Sequence, residues 1–320
     1  MKKDVKPVRS THIGGQAAIE GVMMRGKKMY ALSVRGPGGE IETVKRDLKK
    51  SKYSWLFKLP ILRGIAAFGS SVVVGTKIIY DSADMAGYSD LTEENPSKFD
   101  KFLEKTFGDK LYSYVMGFAV FVAVAFSVLL FFVLPSFISS VAIAPFIGEG
   151  NTWALGIFEG LLRFAIFLFY LMLVARSKDV KRIFGYHGAE HKTINCFEHG
   201  EELNVENVKR HTRLHKRCGT SFLLIVMVIS MIVFFFVRVQ DPWLRILSRV
   251  LLIPFIAGLS YEFIKLAGRS DSVVMKVLSY PGLMLQKITT IEPDDGQIEV
   301  AIEAMRNVLG EEGDADGCQL

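Results

Sequence analysis

The stretch that decides the fold is LYSYVMGFAVFVAVAFSVLLFFVLPSFISSVAIAPFIG, residues 111–148, in which none of the 38 residues is charged. A bilayer core about 30 Å thick needs about 20 helical residues. We expect one span at Leu111–Leu134, ended by Pro135, because proline removes a backbone donor and clashes with the preceding turn. The remainder, Ser136–Gly148, is too short to span again. It is expected to be a re-entrant or interfacial piece, broken by Pro145.

Three further apolar stretches predict return spans. Gly219–Val237 has 19 residues and no charge. The other two each keep 12 uncharged residues in a row but also carry charges: Trp153–Ala175 contains Glu159 and Arg163, and Pro242–Lys265 contains Arg245 and Arg249. Charges inside a span are costly, so they either serve function or neutralise one another and hold the bundle. We predict a mainly α fold, a polytopic helical membrane protein with about four spans and a small N-terminal β unit.

Lys and Arg lie on alternate sides of the predicted spans. Residues 176–218 contain ten of them, whereas residues 135–152 contain none. Because cytosolic loops are enriched in Lys and Arg, we expect a multi-pass protein of the cell (inner) membrane with both termini cytosolic. The net charge of +6 is then explained by topology and by contact with anionic membrane lipids. We therefore predict no nucleic-acid partner.

Composition excludes other classes and supports a division into units. Half of the residues are hydrophobic and 24 are Phe, which excludes disorder for most of the chain. Three cysteines are too few for a secreted disulfide scaffold. Alternating residues around the turn sequence GPGG predict a hairpin near the N-terminus. We predict four units: a cytosolic β unit at 1–50, amphipathic membrane-surface helices at 51–110, a helical membrane domain at 111–268 with the cytosolic His-rich loop 176–218, and a cytosolic segment with an amphipathic helix at 269–320.

Five of the six histidines fall within residues 187–215. The first cluster is HGAEH, in which a helix would place His187 and His191 on one face with Glu190 beside them. Two imidazoles can bind one metal ion, and the carboxylate can ligate or accept a proton from activated water. HxxEH is the order found in inverzincin-type sites. The pattern predicts a divalent metal, Zn in the first place, with Glu190 as the catalytic base.

A second cluster, HTRLHKRC, repeats the spacing with His211 and His215 and adds Cys218. We expect these histidines to lie on a second helix that faces the first, and to supply ligands to the same ion. Glu262 is the first choice for a distant carboxylate ligand and Asp271 the second. Cys218 is an additional candidate, although such a cysteine is more often a packed residue.

The metal interpretation has a plain alternative. A five-residue pattern such as HxxEH arises by chance, and histidines near a membrane also help to neutralise lipid headgroups. Two HxxxH pairs within 29 residues, in a chain with one other histidine outside this loop, favour the metal site.

Four segments carry a resemblance to a known family: GGQAAIEGVMMR (14–25), YHGAEHKTINCFE (186–198), HTRLHKRCGTSFL (211–223) and YEFIKLAGRSD (261–271). In these segments, spread over nearly the whole chain, the sequence resembles the YqhQ-like family of bacterial inner-membrane proteins. That family is built on a domain of unknown function and is often labelled as predicted metal-dependent enzymes. The resemblance implies a metal and an enzyme but no substrate. It points to His187, Glu190, His191, His211, His215, Cys218, Glu20 and Arg25.

Three functions are compatible with these features. The first is a membrane-embedded, metal-dependent hydrolase whose substrate is a lipid, an isoprenoid carrier or a membrane protein. The second is a metal-binding transporter, channel or scaffold, in which the charged spans line a pathway and a homo-oligomer could enclose a pore. The third is a histidine-box di-iron oxidase, which ranks last because such enzymes need about eight histidine ligands.

Overall fold

A computed structural model describes most of the chain. An antiparallel sheet of four strands forms near the N-terminus, in the order β1-β2-β3-β4. The strands are β1 Gly14–Ala18, β2 Gly21–Arg25, β3 Met29–Arg35 and β4 Ile41–Asp47. The described residues are 11, 13–48, 59–88, 111–147, 151–215, 218–237, 239, 241–267 and 273–316.

The sheet confirms the predicted β unit and adds a hairpin. The predicted hairpin joins β3 to β4, with Arg35 opposite Ile41. The glycine-rich GGQAAIEGVMMR segment forms a second hairpin, β1-β2, with Ala18 opposite Gly21. Its tight turn places Glu20 in the left-handed region at φ 51°.

Helices follow the sheet to the end of the described chain. One helix, α2, runs through the consecutive segments Leu111–Val128, Leu129–Val133, Leu134–Ile138, Ser139–Ile143 and Ala144–Ile147. The others are α1 Leu62–Met85, α3 Thr152–Val174, α4 Lys178–Glu198, α5 Val205–Arg210, α6 Gly219–Phe236, α7 Pro242–Leu251, α8 Ile253–Ala267, α9 Val273–Thr289 and α10 Asp295–Asp316.

Both faces of the sheet are covered by helices. Val22, Met24 and Ala31 pack in one core with α4 and α10. Met23 and Leu32 face the other way and pack against Ile78 of α1 and its neighbours. Because a strand alternates its side chains between faces, cover on both sides accounts for the continuous burial of β2 and β3 up to their last residues. We call the sheet with α4, α5 and α10 the head unit.

Among the described residues, four helices are long and apolar enough to cross a membrane, namely α1, α2, α3 and α6, which suggests a membrane protein. The pair α7 and α8 also qualifies by composition, as one element bent by 42°. We call α2, α3, α6, α7, α8 and α9 the apolar bundle. The sequence did not predict α9, which packs along α6.

Helix α1 has two kinds of neighbour. Its length and hydropathy suit a span, whereas the sequence predicted a membrane-surface helix. Its C-terminal half contacts the sheet, where Ser82 accepts a hydrogen bond from the Ile19 N–H at 3.0 Å. Its N-terminal turn packs against α8, where Gly64 lies against the Gly258 backbone. The helix therefore joins the head unit to the apolar bundle.

The predicted end of the first span at Pro135 is wrong, because α2 continues to Ile147. Leu129–Val133 and Ser139–Ile143 are π-helical turns, each shortly before a proline. A π turn widens the helix and gives the proline ring room. Gly117–Ile147 is 31 residues long, about 46 Å of helix. No separate re-entrant piece is present among the described residues of this region.

Arg163 of α3 compensates for the proline. Pro135 has no N–H to offer the Phe131 carbonyl four residues earlier. Nε of Arg163 donates to that carbonyl instead, at 2.8 Å. Apolar surroundings make such replacement of a lost backbone bond necessary.

The charged residues of the predicted spans form one buried network. Glu159 accepts from Arg163 at 2.7 Å and from Nε of Arg249 at 3.0 Å.

The arginines also donate to fixed acceptors. Arg249 donates to the Val237 carbonyl, and Arg245 donates to the Val239 carbonyl and to the Ser140 hydroxyl. The guanidinium groups of Arg163 and Arg249 lie over the Phe234 ring. The network thus ties α2, α3, α6 and α7 together through fixed acceptors.

Replacing Arg163 tests this account of α2. Arg163→Met should lower the free energy of unfolding in detergent by about 3 kcal/mol, because Glu159 loses an ion-pair partner and the Phe131 carbonyl loses its hydrogen-bond donor. Pro135→Ala supplies a new N–H to that carbonyl. In the Pro135→Ala background, the loss caused by Arg163→Met should be smaller by about 1 kcal/mol. Equal losses in both backgrounds would contradict the pairing of Arg163 with the proline.

Candidate metal centre

Helix α4 presents the HGAEH sequence in a buried environment. Ser177 precedes it in an extended conformation, φ −60° and ψ 139°, and Asp179 in the first turn suits the helix dipole. From Gly185 to the end of the helix every residue is buried except His187, whose side chain is 12% exposed. Helical spacing brings the rings of His187 and His191 to 4.4 Å between centroids.

Backbone carbonyls orient both imidazoles. Nδ1 of His187 lies 2.9 Å from the Thr289 carbonyl at the end of α9. Nδ1 of His191 lies 2.5 Å from the Arg213 carbonyl. Because a carbonyl can only accept, each Nδ1 donates, and the neutral ring then carries its lone pair on Nε2. Metal-ligating histidines are oriented in this way.

Cys218 joins the two histidines. It caps α6, where Sγ accepts from the Thr220 N–H at 3.4 Å. Sγ lies 3.2 Å from Nε2 of His187. One ligand atom from each of Cys218, His187 and His191 lies within 4.8 Å of the others. A single ion could therefore contact all three donors.

Glu190 lies next to both imidazoles. Its Oε2 is 3.8 Å from Nε2 of His187 and 3.7 Å from Nε2 of His191. Burial raises the pKa of the Glu190 carboxyl, while His187, His215 and a hydrogen bond from the Gly15 N–H act in the opposite direction. A methyl group on Gly15 would collide with the Glu190 side chain. Glycine at this position of β1 therefore permits the strand to approach α4.

These side chains line a cavity of about 310 Å³. Its walls come from β1, from α4 and from the start of α6. The cavity therefore lies where the head unit meets the apolar bundle, and its size suits a small ligand or one end of a larger one. The polar residues of the wall are Gln16, His187, Glu190, His191, His215, Cys218 and Thr220.

The segment after α9 closes one side of the centre. The Ile291 N–H donates to the Phe184 carbonyl at 2.9 Å. A methyl group on Gly188 would collide with the Ile291 carbonyl, so the glycine beside His187 allows this close approach. Gln286, fully buried in α9, accepts from the His215 N–H and donates to the His215 carbonyl, each at 2.8 Å.

The second histidine pair does not form the predicted helix. Helix α5 ends at Arg210, and residues 211–215 are not helical. His215 reaches the cavity, with its ring 5.6 Å from that of His191. His211 is directed elsewhere, toward Glu201, with 3.4 Å between Nε2 and Oε2. The i, i+4 spacing predicts a helix, and that prediction is wrong because the backbone leaves the helical conformation at His211. The two histidines therefore have different neighbours, and a shared ion remains a prediction that the structure does not support.

Glu262 is not brought to the candidate centre. Its carboxylate forms an ion pair with Arg63 of α1 and accepts a hydrogen bond from the Ile61 N–H at 3.3 Å. Glu262 therefore joins α8 to α1 instead of pointing to the candidate centre, because Arg63 of the neighbouring helix forms an ion pair with it.

The remaining candidates have other surroundings. Glu20 is bound by Arg182, and by the Tyr186 hydroxyl at 3.2 Å, so it fixes the β1-β2 turn to α4. Arg25 is exposed and lines a second cavity of about 280 Å³ on the other side of β1. Asp271 lies outside the described residues.

Sequence reasoning missed the groups that orient the centre. They are the carbonyls of Thr289 and Arg213 and the side chain of Gln286. Every residue has a backbone carbonyl, so the sequence does not show which carbonyl will orient a histidine. The glycines at 15 and 188 were the available signal, since each marks a close approach to α4.

Comparison with known proteins places the chain in a family without a known activity. No solved structure matches it. Over 298 residues it is 38% identical to the uncharacterized protein YqhQ of Bacillus subtilis (strain 168), and the match covers 92% of each chain. Residues 59–311 match a family described as protein of unknown function (DUF1385). Because both matches cover most of the chain, it belongs to the DUF1385 family of YqhQ-like proteins.

Proposed function

We propose that this chain is a metal-dependent enzyme of the membrane, a hydrolase that acts at the centre formed by His187, His191 and Cys218. One observation carries the proposal. Two imidazoles, each oriented by a backbone carbonyl through Nδ1, converge with a thiol beside a buried carboxylate. Two nitrogen donors and one sulfur donor match the preference of Zn²⁺. Three protein ligands would leave a coordination position open, as in catalytic zinc sites.

The chemistry of the donors fits a bound cation. The two Nε2 atoms and Sγ offer lone pairs to one point, and a divalent ion held there supplies Lewis acidity that activates water and polarises a carbonyl or phosphoryl group. Glu190 would accept the proton of the attacking water, because its carboxylate borders both Nε2 atoms. His215, on the cavity wall, is the second group that could carry a proton.

The location of the centre, between the head unit and an apolar span, favours a substrate that reaches it from the bilayer. Cys218 begins α6, one of the apolar spans, whereas His187 and His191 belong to the head unit. A lipid, an isoprenoid carrier or a membrane protein would bring its reactive group to such a boundary. Arg25 lines the neighbouring cavity and is a candidate to bind an anionic group of that substrate.

We also propose that the head unit is cytosolic, in the cell (inner) membrane. Residues 176–218 carry ten Lys and Arg, whereas the 135–152 region carries none.

Transport is the second candidate function, and the spans give it less support. The charged residues that would line a pathway are engaged with one another and with fixed backbone groups. Such a network is better suited to holding helices together than to releasing a passing ion.

Reporter fusions test the orientation. A reporter placed after Glu149 should be active outside the cytosol, and one placed within 199–209 should be active inside it, because Lys and Arg favour the cytosolic side. A fusion that joins the reporter to the C-terminus provides a cytosolic control. Reversed signals at the two internal sites would contradict the proposed orientation.

Glu190→Gln tests the proposed catalysis. The amide keeps the size of the side chain and an oxygen that can accept from the Gly15 N–H, so most of the metal should remain bound. An amide cannot accept the proton, and the rate should fall by about 10²–10⁴. Because no substrate is established, the readout is competitive growth of a deletion strain that carries the variant, with the metal content of the purified protein measured in parallel.

Two comparison variants make this result specific. His187→Ala with His191→Ala should lose metal and function together, since it removes two ligands. Glu159→Gln removes the carboxylate that Arg163 and Arg249 share, so it should lower stability, while the folded protein should keep its metal because the network lies outside the candidate centre. Full growth with Glu190→Gln would exclude the hydrolase. Failed growth with Glu159→Gln, in protein that keeps wild-type thermal stability and metal content, would favour transport.

A further inference from the structure

A second group of donor atoms lies at the far end of α4, outside the candidate centre. Cys196 is in the last turn of α4, Glu201 follows the helix and His211 follows α5. Sγ of Cys196, a carboxylate oxygen of Glu201 and a ring nitrogen of His211 all lie within 4.8 Å of one another. Donors at this spacing can share one ion.

The local backbone explains why these donors meet. Gly200 adopts φ 74°, a left-handed conformation that favours glycine. The Glu201 N–H then donates to the Cys196 carbonyl at 3.3 Å, so the chain folds back onto the end of α4. The His211 N–H donates to the Val208 carbonyl at 3.1 Å, which ends α5 and directs the histidine to the same point.

His211 provides the observation that points to a ligand. Its Nε2 is buried and makes no well-aligned hydrogen bond among the described residues; Oε2 of Glu201 faces it at 3.4 Å. A cation bound between this nitrogen and the carboxylate would satisfy both groups better than their long contact does.

Two neighbours complete the surroundings. The ring of His199 lies 4.9 Å from that of His211, and its Nδ1 donates to the Asn195 carbonyl at 2.7 Å. That hydrogen bond selects the tautomer with a lone pair on Nε2. Lys192, a cation one turn earlier on α4, is bound by Glu292 and by the Lys209 carbonyl, so its charge is partly neutralised.

From this geometry we infer that Cys196, Glu201 and His211 bind a second divalent ion, Zn²⁺. The three ligands come from two separate parts of the chain, so the ion would have a structural role. The ion fastens the start of the 211–215 segment to α4. The same segment carries the Arg213 carbonyl that orients His191. The second ion thus supports the candidate centre without entering its chemistry, and its existence does not depend on the proposed hydrolase.

Titration with Co²⁺ tests the inference. The full-length protein is purified in detergent, stripped with a chelator and titrated, and thiolate ligation is followed by sulfur-to-cobalt charge-transfer absorption. We expect two Co²⁺ per chain in the wild type. Glu201→Gln should weaken one of them at least tenfold, and its exposed side chain makes this variant compatible with folding. Glu202→Gln, a change in the adjacent exposed carboxylate, is the matched control and should bind two ions as the wild type does.

Ligand removal separates the two sites. Cys196→Ser with His211→Ala should bind one ion, and adding Cys218→Ser should remove the remaining thiolate absorption. Two ions bound with wild-type affinity by Glu201→Gln and by Cys196→Ser with His211→Ala would overturn the second site. So would a wild type that binds a single ion and loses it in His187→Ala with His191→Ala. If that last variant instead binds as many ions as the wild type, the proposed hydrolase fails and the second site stands.

Discussion

The burial of α4 between the sheet and the segment after α9 is the constraint on which the site depends. Two imidazoles can be fixed on one helix only if their Nδ1 atoms find acceptors outside it, and here the Thr289 and Arg213 carbonyls provide them. Both carbonyls come from chain distant in sequence, so the candidate centre exists only in the folded protein. Glycines at 15 and 188 allow β1 and the C-terminal segment to approach α4 closely enough.

In the apolar bundle, too, a group distant in sequence supplies a hydrogen-bond partner that the local chain lacks. Pro135 leaves a carbonyl without its donor in apolar surroundings, and Arg163 donates to it. Glu159 partly neutralises the positive charge of Arg163. Arg249 binds Glu159 and extends the network to the end of α6. Charged residues in spans are a reason to suspect function, but each of these has a structural task.

Much of the fold could be predicted from the sequence, because hydropathy and turn preference are properties of single residues. The apolar helices α3 and α6, the β3-β4 hairpin and the helical pair His187 and His191 follow from such patterns. The continuation of α2 through Pro135 could not be predicted, since it depends on an arginine of another helix. The role of Glu262 and the separation of His211 from His215 also depend on tertiary contacts, namely the pairing with Arg63 and the end of α5 at Arg210.

The most direct test of the central claim is a crystal structure of the purified protein with data collected on both sides of the zinc absorption edge. The account predicts an anomalous peak within bonding distance, about 2.0–2.3 Å, of Nε2 of His187, Nε2 of His191 and Sγ of Cys218. One coordination position should be open toward the cavity beside Glu190. A zinc-loaded protein in which these three residues contact no metal would contradict the account.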